Sequence, residues 1–207
     1  MSEAMDELRE VPLGKAVILP EPRVRGTMSV EEAIQRRRST RGFTSDPLDL
    51  AAISQLLWSA QGLTSPEGLR AAPSAGARYP LEVYLACAAG LFRYQGRDHS
   101  LLKVRGADLR GQLAEAALGQ SFVAEAPIAL VFVAIYERTT SRYRDRGIRY
   151  VHIDVGHAAE NVHLQAEALG LGSCAVGAFD DAAAARVLHL PDDQKPLYLI
   201  PVGRPTG

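Results

Sequence analysis

Between positions 36 and 41 the chain reads Arg36-Arg37-Arg38-Ser39-Thr40-Arg41. Several guanidinium groups and two hydroxyls in so short a span can complete the hydrogen-bond shell of a phosphate, because each guanidinium presents a rigid fork of N–H donors at fixed charge. Cations at a helix end are also favoured by the helix dipole alone, so a solvated basic helix terminus competes with the phosphate reading. A second segment, Ala72-Pro73-Ser74-Ala75-Gly76-Ala77-Arg78-Tyr79-Pro80, precedes a strongly apolar run. Its small residues let backbone approach a flat ligand, with Ser74 and Arg78 available for a polar edge; a plain connecting loop is the alternative. The third, Gly170 to Phe179, follows a long apolar helix pattern and can present backbone N–H and C=O groups to the heteroatoms of a ring. Its glycines do not follow G-x-G-x-x-G and it trails a helix, so it is not a dinucleotide fingerprint.

The five histidines carry less. Asp154, His157, Glu160, Asn161 and His163 contain no H-E-x-x-H, and His157 and His163 fall on different faces of a helix, so no metal site is expected. His157 and Asn161 are one turn apart and suit local hydrogen bonds. His152, just ahead of the long helix, is the one histidine placed to donate a proton to a substrate.

These segments need elements to hold them. Ser29 with Glu32 forms an S-x-x-E capping box that starts a helix running into the arginines. Apolar spacing predicts helices over 48–60, 108–118, 154–169 and 181–188, and strands over 81–89, 91–94, 99–104, 128–136 and 197–202. The run from Ile128 is apolar at nearly every position, as a central strand covered on both faces would be. Residues 137–150 are polar and arginine-rich, which reads as a lid or a salt-bridged surface more readily than as a nucleic-acid patch. Residues 1–27, rich in Pro and Gly, read as an N-terminal arm or edge segment, and 28–207 as one α+β domain.

Composition narrows the class. The 207 residues carry 23 basic and 24 acidic side chains, a formal charge of -1, so no global field gathers nucleic acid or an anionic membrane. No apolar run approaches the length of a membrane span, and the acidic N-terminus lacks a signal-peptide core. Only Cys87 and Cys174 are present, which excludes a disulfide scaffold and makes reducing cytoplasm the expected compartment.

The ordered segments RRRSTRGF, LLWSAQGL, PSAGARYPLEVYLA, HAAENVHLQAEALGLGSCAVGAF and PLYLIPVGRP resemble the nitroreductase superfamily. ILPEP and SAGARYPLE are most similar to its SagB-type dehydrogenases, the group that includes azoline oxidases of peptide-modifying pathways. The resemblance implies a nitroreductase-like α+β fold, with a central mostly antiparallel sheet flanked by helices, and a homodimer with FMN at the interface. By the same resemblance Arg37, Arg38, Ser39 and Arg41 hold the phosphate and ribityl end, with Arg204 reaching it from the C-terminus. Pro73, Ser74, Ala75 and Gly76 pack on or near the flavin, often from the neighbouring subunit, and Ala175, Val176, Gly177 and Ala178 run along its face and edge.

Two departures stand out. The side-chain amides common before the strand are replaced by Ala75, Ala77 and Tyr79, leaving Arg78 or backbone groups for the flavin pyrimidine. No Lys occurs between Lys103 and Lys195 to supply the azoline oxidases' Lys and Tyr pair, although Tyr143 and Tyr150 lie in the comparable stretch. The activity implied is hydride transfer from NAD(P)H through flavin N5 to a nitroaromatic, quinone or similar acceptor. The alternatives are oxidation of a heterocyclic or peptide-derived substrate with oxygen regenerating FMN, or a non-catalytic flavin-binding or partner subunit.

Overall fold

The computed structural model describes residues 3–206; Met1, Ser2 and Gly207, the outermost positions of the expected arm and domain, lie outside the described residues. Seven strands form one sheet in the spatial order β1 (Ala16–Ile18), β4 (Ser100–Arg105), β3 (Gly90–Gln95), β2 (Leu81–Cys87), β5 (Ile128–Ala134), β7 (Lys195–Gly203) and β6 (Gly172–Ser173). Every neighbouring pair is antiparallel.

Each residue of β5 is buried, because both faces of the sheet are covered. Ile128, Leu130 and Phe132 face a core built with α3 (Leu50–Gln61) and α7 (Arg146–Ala168). Ala129, Val131 and Val133 face the opposite core, with α4 (Arg110–Ala116), α5 (Phe122–Glu125) and α8 (Asp181–Leu188). Alternation along the strand thus sends an apolar side chain into each layer in turn. The helices start where their caps dictate. Ser29 Oγ accepts from the Glu32 N–H at 3.1 Å to open α2 (Val30–Arg36), and Asp49 accepts from the Ala52 N–H at 2.7 Å to open α3.

Two segments depart from the sequence reading. The long helix begins at Arg146, eight positions before Asp154. Its added turns bury Gly147 and Val151 while His152 and the arginines face out, so charge on the outer face masks the apolar period. Gly147 allows this start: a Cβ there would lie 2.8 Å from the Thr140 Cα of α6 (Glu137–Tyr143). The stretch read as a polar lid or surface is therefore the α6–α7 corner, with Arg138 ion-paired to Glu82.

The N-terminal segment contains regular structure as well as an edge strand. Ala4, Met5 and Leu8 of α1 (Glu3–Glu10) are buried in the core, and β1 pairs with β4. Lys103, 6% exposed, secures this helix by donating to the carbonyls of Leu8 at 3.2 Å and Arg9 at 2.9 Å. These belong to the last turn, whose carbonyls have no partner within the helix. A cation there also complements the dipole. Lys103→Ala leaves these acceptors without their donor and is expected to cost about 1–3 kcal/mol. Urea denaturation reads this directly, and an unchanged midpoint would remove Lys103 from the anchoring of α1.

Candidate active site

The arginine run divides at the end of α2. Arg36 remains on the helix and pairs with Glu32 one turn back at 2.6 Å, as a solvated basic helix terminus would. From Arg37 the backbone leaves the helix with φ -47° and ψ 122°, and Ser39 and Thr40 dock on the sheet edge. Ser39 bridges Ser173 in parallel, and the Thr40 N–H donates to the Ser173 carbonyl at 2.9 Å. Gly172 permits that approach, since a Cβ there would sit 2.6 Å from Thr40 side-chain atoms. Ser173 is in turn fixed by His163 of α7, whose Nδ1 hydrogen-bonds its Oγ at 2.7 Å; burial pushes the His163 pKa down.

The C-terminal segment lies alongside. The Thr44 N–H donates to the Arg204 carbonyl at 2.9 Å, and the Thr206 N–H to the Gly42 carbonyl at 3.0 Å. Arg204 is thus brought next to the arginine turn from the far end of the chain. Arg37 reaches Glu160 only at 3.9 Å, and Arg38 folds over the carbonyls of Gln35 and Arg37. Arg41 lies 5.8 Å from the Phe122 ring centroid. Among the described residues no carboxylate forms an ion pair with Arg38, Arg41 or Arg204. This donor set suits an external oxyanion.

Residues 174–178 continue from the same docking point. Val176 exchanges backbone hydrogen bonds with Leu199 of β7, at 2.8 and 3.0 Å, which turns Gly177 and Ala178 outward. Gly177 and Ala178 have no backbone acceptor for their N–H groups among the described residues, so both remain available to a ligand. Cys174, between them and Ser39, is buried, and burial raises its thiol pKa.

The turn before β2 is held from α7. Ser74 Oγ donates to Asp154 Oδ2 at 2.6 Å and accepts from the Tyr79 N–H at 3.0 Å. Asp154 is 4% exposed, and burial raises its pKa despite the hydrogen bonds from Ser74 and the Ala75 backbone. Gly76, Ala77 and Tyr79 all have φ between +45° and +59°, a strained sequence for two residues with side chains. At Gly76 even a Cβ is excluded, because it would fall 2.5 Å from the Tyr143 hydroxyl. Pro73 is exposed and Ala75 half-buried. Arg78 is directed onto α6, with Nε donating to the Arg138 carbonyl at 2.7 Å and Nη2 to Ser141 at 3.4 Å.

Of the substrate-side candidates, Tyr143 therefore touches the turn, and Tyr150 packs edge-on against it at 5.1 Å. His152 lies apart from that pair and hydrogen-bonds Tyr136 through Nε2 at 2.5 Å. Asn161 donates to the carbonyls of Ser59 and Ala71, while His157 is exposed. Among the described residues no group of three or more His, Cys, Asp or Glu is arranged to hold a metal ion, and no helix is long and apolar enough to cross a membrane. The contacts of Asp154, His163 and Phe122 could not be read from motif spacing. Their partners are 80, 10 and 81 positions away, and nothing local marks them.

Residues 34–204 match the model of the nitroreductase family. The chain is 44% identical over 183 residues to a nitroreductase-family protein of Methanocaldococcus jannaschii, covering 86% of this chain and 91% of that protein. A crystal structure of a nitroreductase-family protein from Ralstonia eutropha superposes with a TM-score of 0.86 at 34% identity, covering 95% and 93% of the two chains. The microcin B17-processing protein McbC of Escherichia coli is 26% identical over 155 residues, 69% of this chain and 57% of that protein. With its α+β architecture and central antiparallel sheet, the chain belongs to the nitroreductase family and is an FMN-linked oxidoreductase.

Proposed function

We propose that Arg37, Arg38, Ser39, Arg41 and Arg204 hold the phosphate and ribityl end of FMN, and that Ala175, Val176, Gly177 and Ala178 line its ring. The observation that carries this reading is the docking of the 39–44 segment on Ser173 and Arg204, which gathers Arg38, Arg41 and Arg204, none ion-paired among the described residues, on backbone joined to a loop with free N–H groups. The residues present fit the cofactor by chemistry: forked cations for a phosphate monoester at one end, outward backbone donors for ring heteroatoms at the other. Pro73, Ser74, Ala75 and Gly76 form the second wall in a homodimer, with Arg78 fixing that wall to α6. When bound, the flavin supplies reversible acceptance of a hydride at N5. The chain's own residues bind and orient the ring, and Tyr143, Tyr150 and His152 are the groups offered to a substrate.

The reaction proposed is transfer from NAD(P)H to a small nitroaromatic, quinone or related acceptor. A SagB-like oxidation of a heterocyclic or peptide-derived substrate is the second reading, favoured by the SAGARYPLE wording and by the similarity to McbC. It lacks a lysine partner for Tyr143 in the α6–α7 corner. Dimerisation is supported by apolar side chains left uncovered on two packed helices: Val30 and Ile34 on α2, and Ile148 and Ile153 on α7, between 46% and 65% exposed. A reducing cytoplasmic location accords with two buried, unpaired thiols.

Three outcomes are expected. Arg41→Ala weakens FMN binding about 5- to 150-fold, the loss of one charged hydrogen bond, measured by titrating the apoprotein with FMN; an unaltered dissociation constant rejects the role of Arg41. Anaerobic addition of NADH or NADPH bleaches the flavin band near roughly 450 nm within the mixing time of a stopped-flow experiment. No bleaching with either nucleotide favours the dehydrogenase reading instead. Ile153→Glu places a charge in the proposed seam and is expected to yield monomers with reduced flavin content by sedimentation; an intact dimer places the interface elsewhere.

A further inference from the structure

A second arginine-lined cavity, of about 330 Å³, opens where β2 begins and β3 ends, and shares no residue with the Arg37–Arg41 turn. Arg70, Arg93, Arg97 and Arg138 line it against only two carboxylates, Glu82 and Asp98. Glu82 is already engaged, since Arg138 Nη2 donates to it at 2.5 Å. Arg70 is half-buried and has no ion pair among the described residues. Its Nη1 donates to the Gln61 carbonyl at 3.2 Å and to Gln61 Oε1 at 3.4 Å, and its guanidinium lies 5.1 Å from the Tyr79 ring centroid. Its Nε and Nη2 groups meet no acceptor among the described residues. Burial, and then the like charge of Arg138, push the Arg70 pKa down, with Glu82 offsetting part of the effect.

Two details shape the space. Gly96 leaves room for the guanidinium, because a Cβ there would lie 2.8 Å from the Gln61 carbonyl oxygen and 3.3 Å from Arg70 Nη1. Gln95 stands on the same wall, its Oε1 enclosed and without a donor among the described residues. Guanidinium forks suit a ligand that offers several acceptor oxygens at high negative charge, and a phosphate group, largely dianionic near neutrality and more so beside arginines, is such a ligand.

We propose that this cavity binds the phosphate group of a small molecule, with Arg70 and Arg97 donating to its oxygens. The ligand lies next to the 74–80 turn, because Arg138 Nη1 donates to the Tyr79 carbonyl at 3.2 Å and the Arg70 N–H meets the Tyr79 hydroxyl at 3.2 Å. The site is independent of the FMN assignment. Its test is calorimetric titration of the full chain carrying Arg41→Ala, so that the other basic cluster is weakened, with inorganic phosphate and with ribose 5-phosphate. One binding event is expected for at least one probe, weakened about tenfold by added Arg70→Gln. Arg97→Glu, at an exposed rim residue, is expected to weaken it as well without disturbing the fold. Tighter binding of ribose 5-phosphate identifies an ester as the occupant, and tighter inorganic phosphate identifies the free ion. Absence of binding, or binding insensitive to both substitutions, overturns the proposal. Failure of the FMN reading appears separately, as FMN affinity unaffected by Arg41→Ala.

Discussion

The hydrogen bond from the Thr40 N–H to the Ser173 carbonyl is the contact on which the arrangement of the site rests. It closes a long loop in sequence, joining the exit of α2 to the short edge strand β6, and it forms only because position 172 has no side chain. A neutral backbone hydrogen bond has a modest net worth of about 1 kcal/mol. Its consequence is geometric. Once Ser39 and Thr40 are pinned, Arg37, Arg38 and Arg41 are held on backbone docked to the strand that leads into residues 174–178, and the Gly42–Thr44 segment meets Arg204. Ser173 cannot drift, because His163 holds its hydroxyl from the buried face of α7.

Helix α7 sets the spacing of everything else. Asp154 is bonded to Ser74, Glu160 faces Arg37, and His163 is bonded to Ser173, so the 74–79 turn and the arginine turn of one chain are both referenced to one rigid rod. Nine residues separate the first and last of these contacts, about 13.5 Å at the rise of an α-helix. The cost of burying Asp154 is offset by the Ser74 hydroxyl and the Ala75 amide, which tie the strained turn to the helix. The backbone at Ala77 and Tyr79 keeps its unfavourable φ because Ser74, Arg138 and Arg70 all fix Tyr79.

Local physics made much of this legible. Ser29 and Glu32 announced α2, and the unbroken apolar run from Ile128 announced a strand with cores on both sides. What escaped has a shared cause: the informative partner is distant in sequence. The first two turns of α7 carry Arg146, Arg149 and His152 outward, so their burial pattern becomes evident only when Gly147 is seen against Thr140. Likewise α1 looked like part of an irregular arm because its acidic face hides Ala4, Met5 and Leu8, and Lys103, which secures it, is 94 positions from Arg9. Arg78 is available to a flavin edge by position, and its contacts within the chain are with α6, an element that sequence patterning left as polar surface.

The arginines show why motif density is a weaker guide than the fate of each charge. Arg36 and Arg41 belong to one run, yet Arg36 is answered by Glu32 within its own helix while Arg41 has no ion pair among the described residues and lies near an aromatic ring. Arg138 and Arg70 line one cavity, yet among the described residues only Arg138 forms an ion pair, while Glu82 acts on Arg70 from a distance. A chain with a net charge of -1 can therefore contain two separate clusters in which arginines outnumber the carboxylates beside them. Surface ion pairs contribute little to stability, so the fold does not require every arginine to be paired. Positive charge left partly desolvated has a cost, and an anion bound at either cluster would offset it.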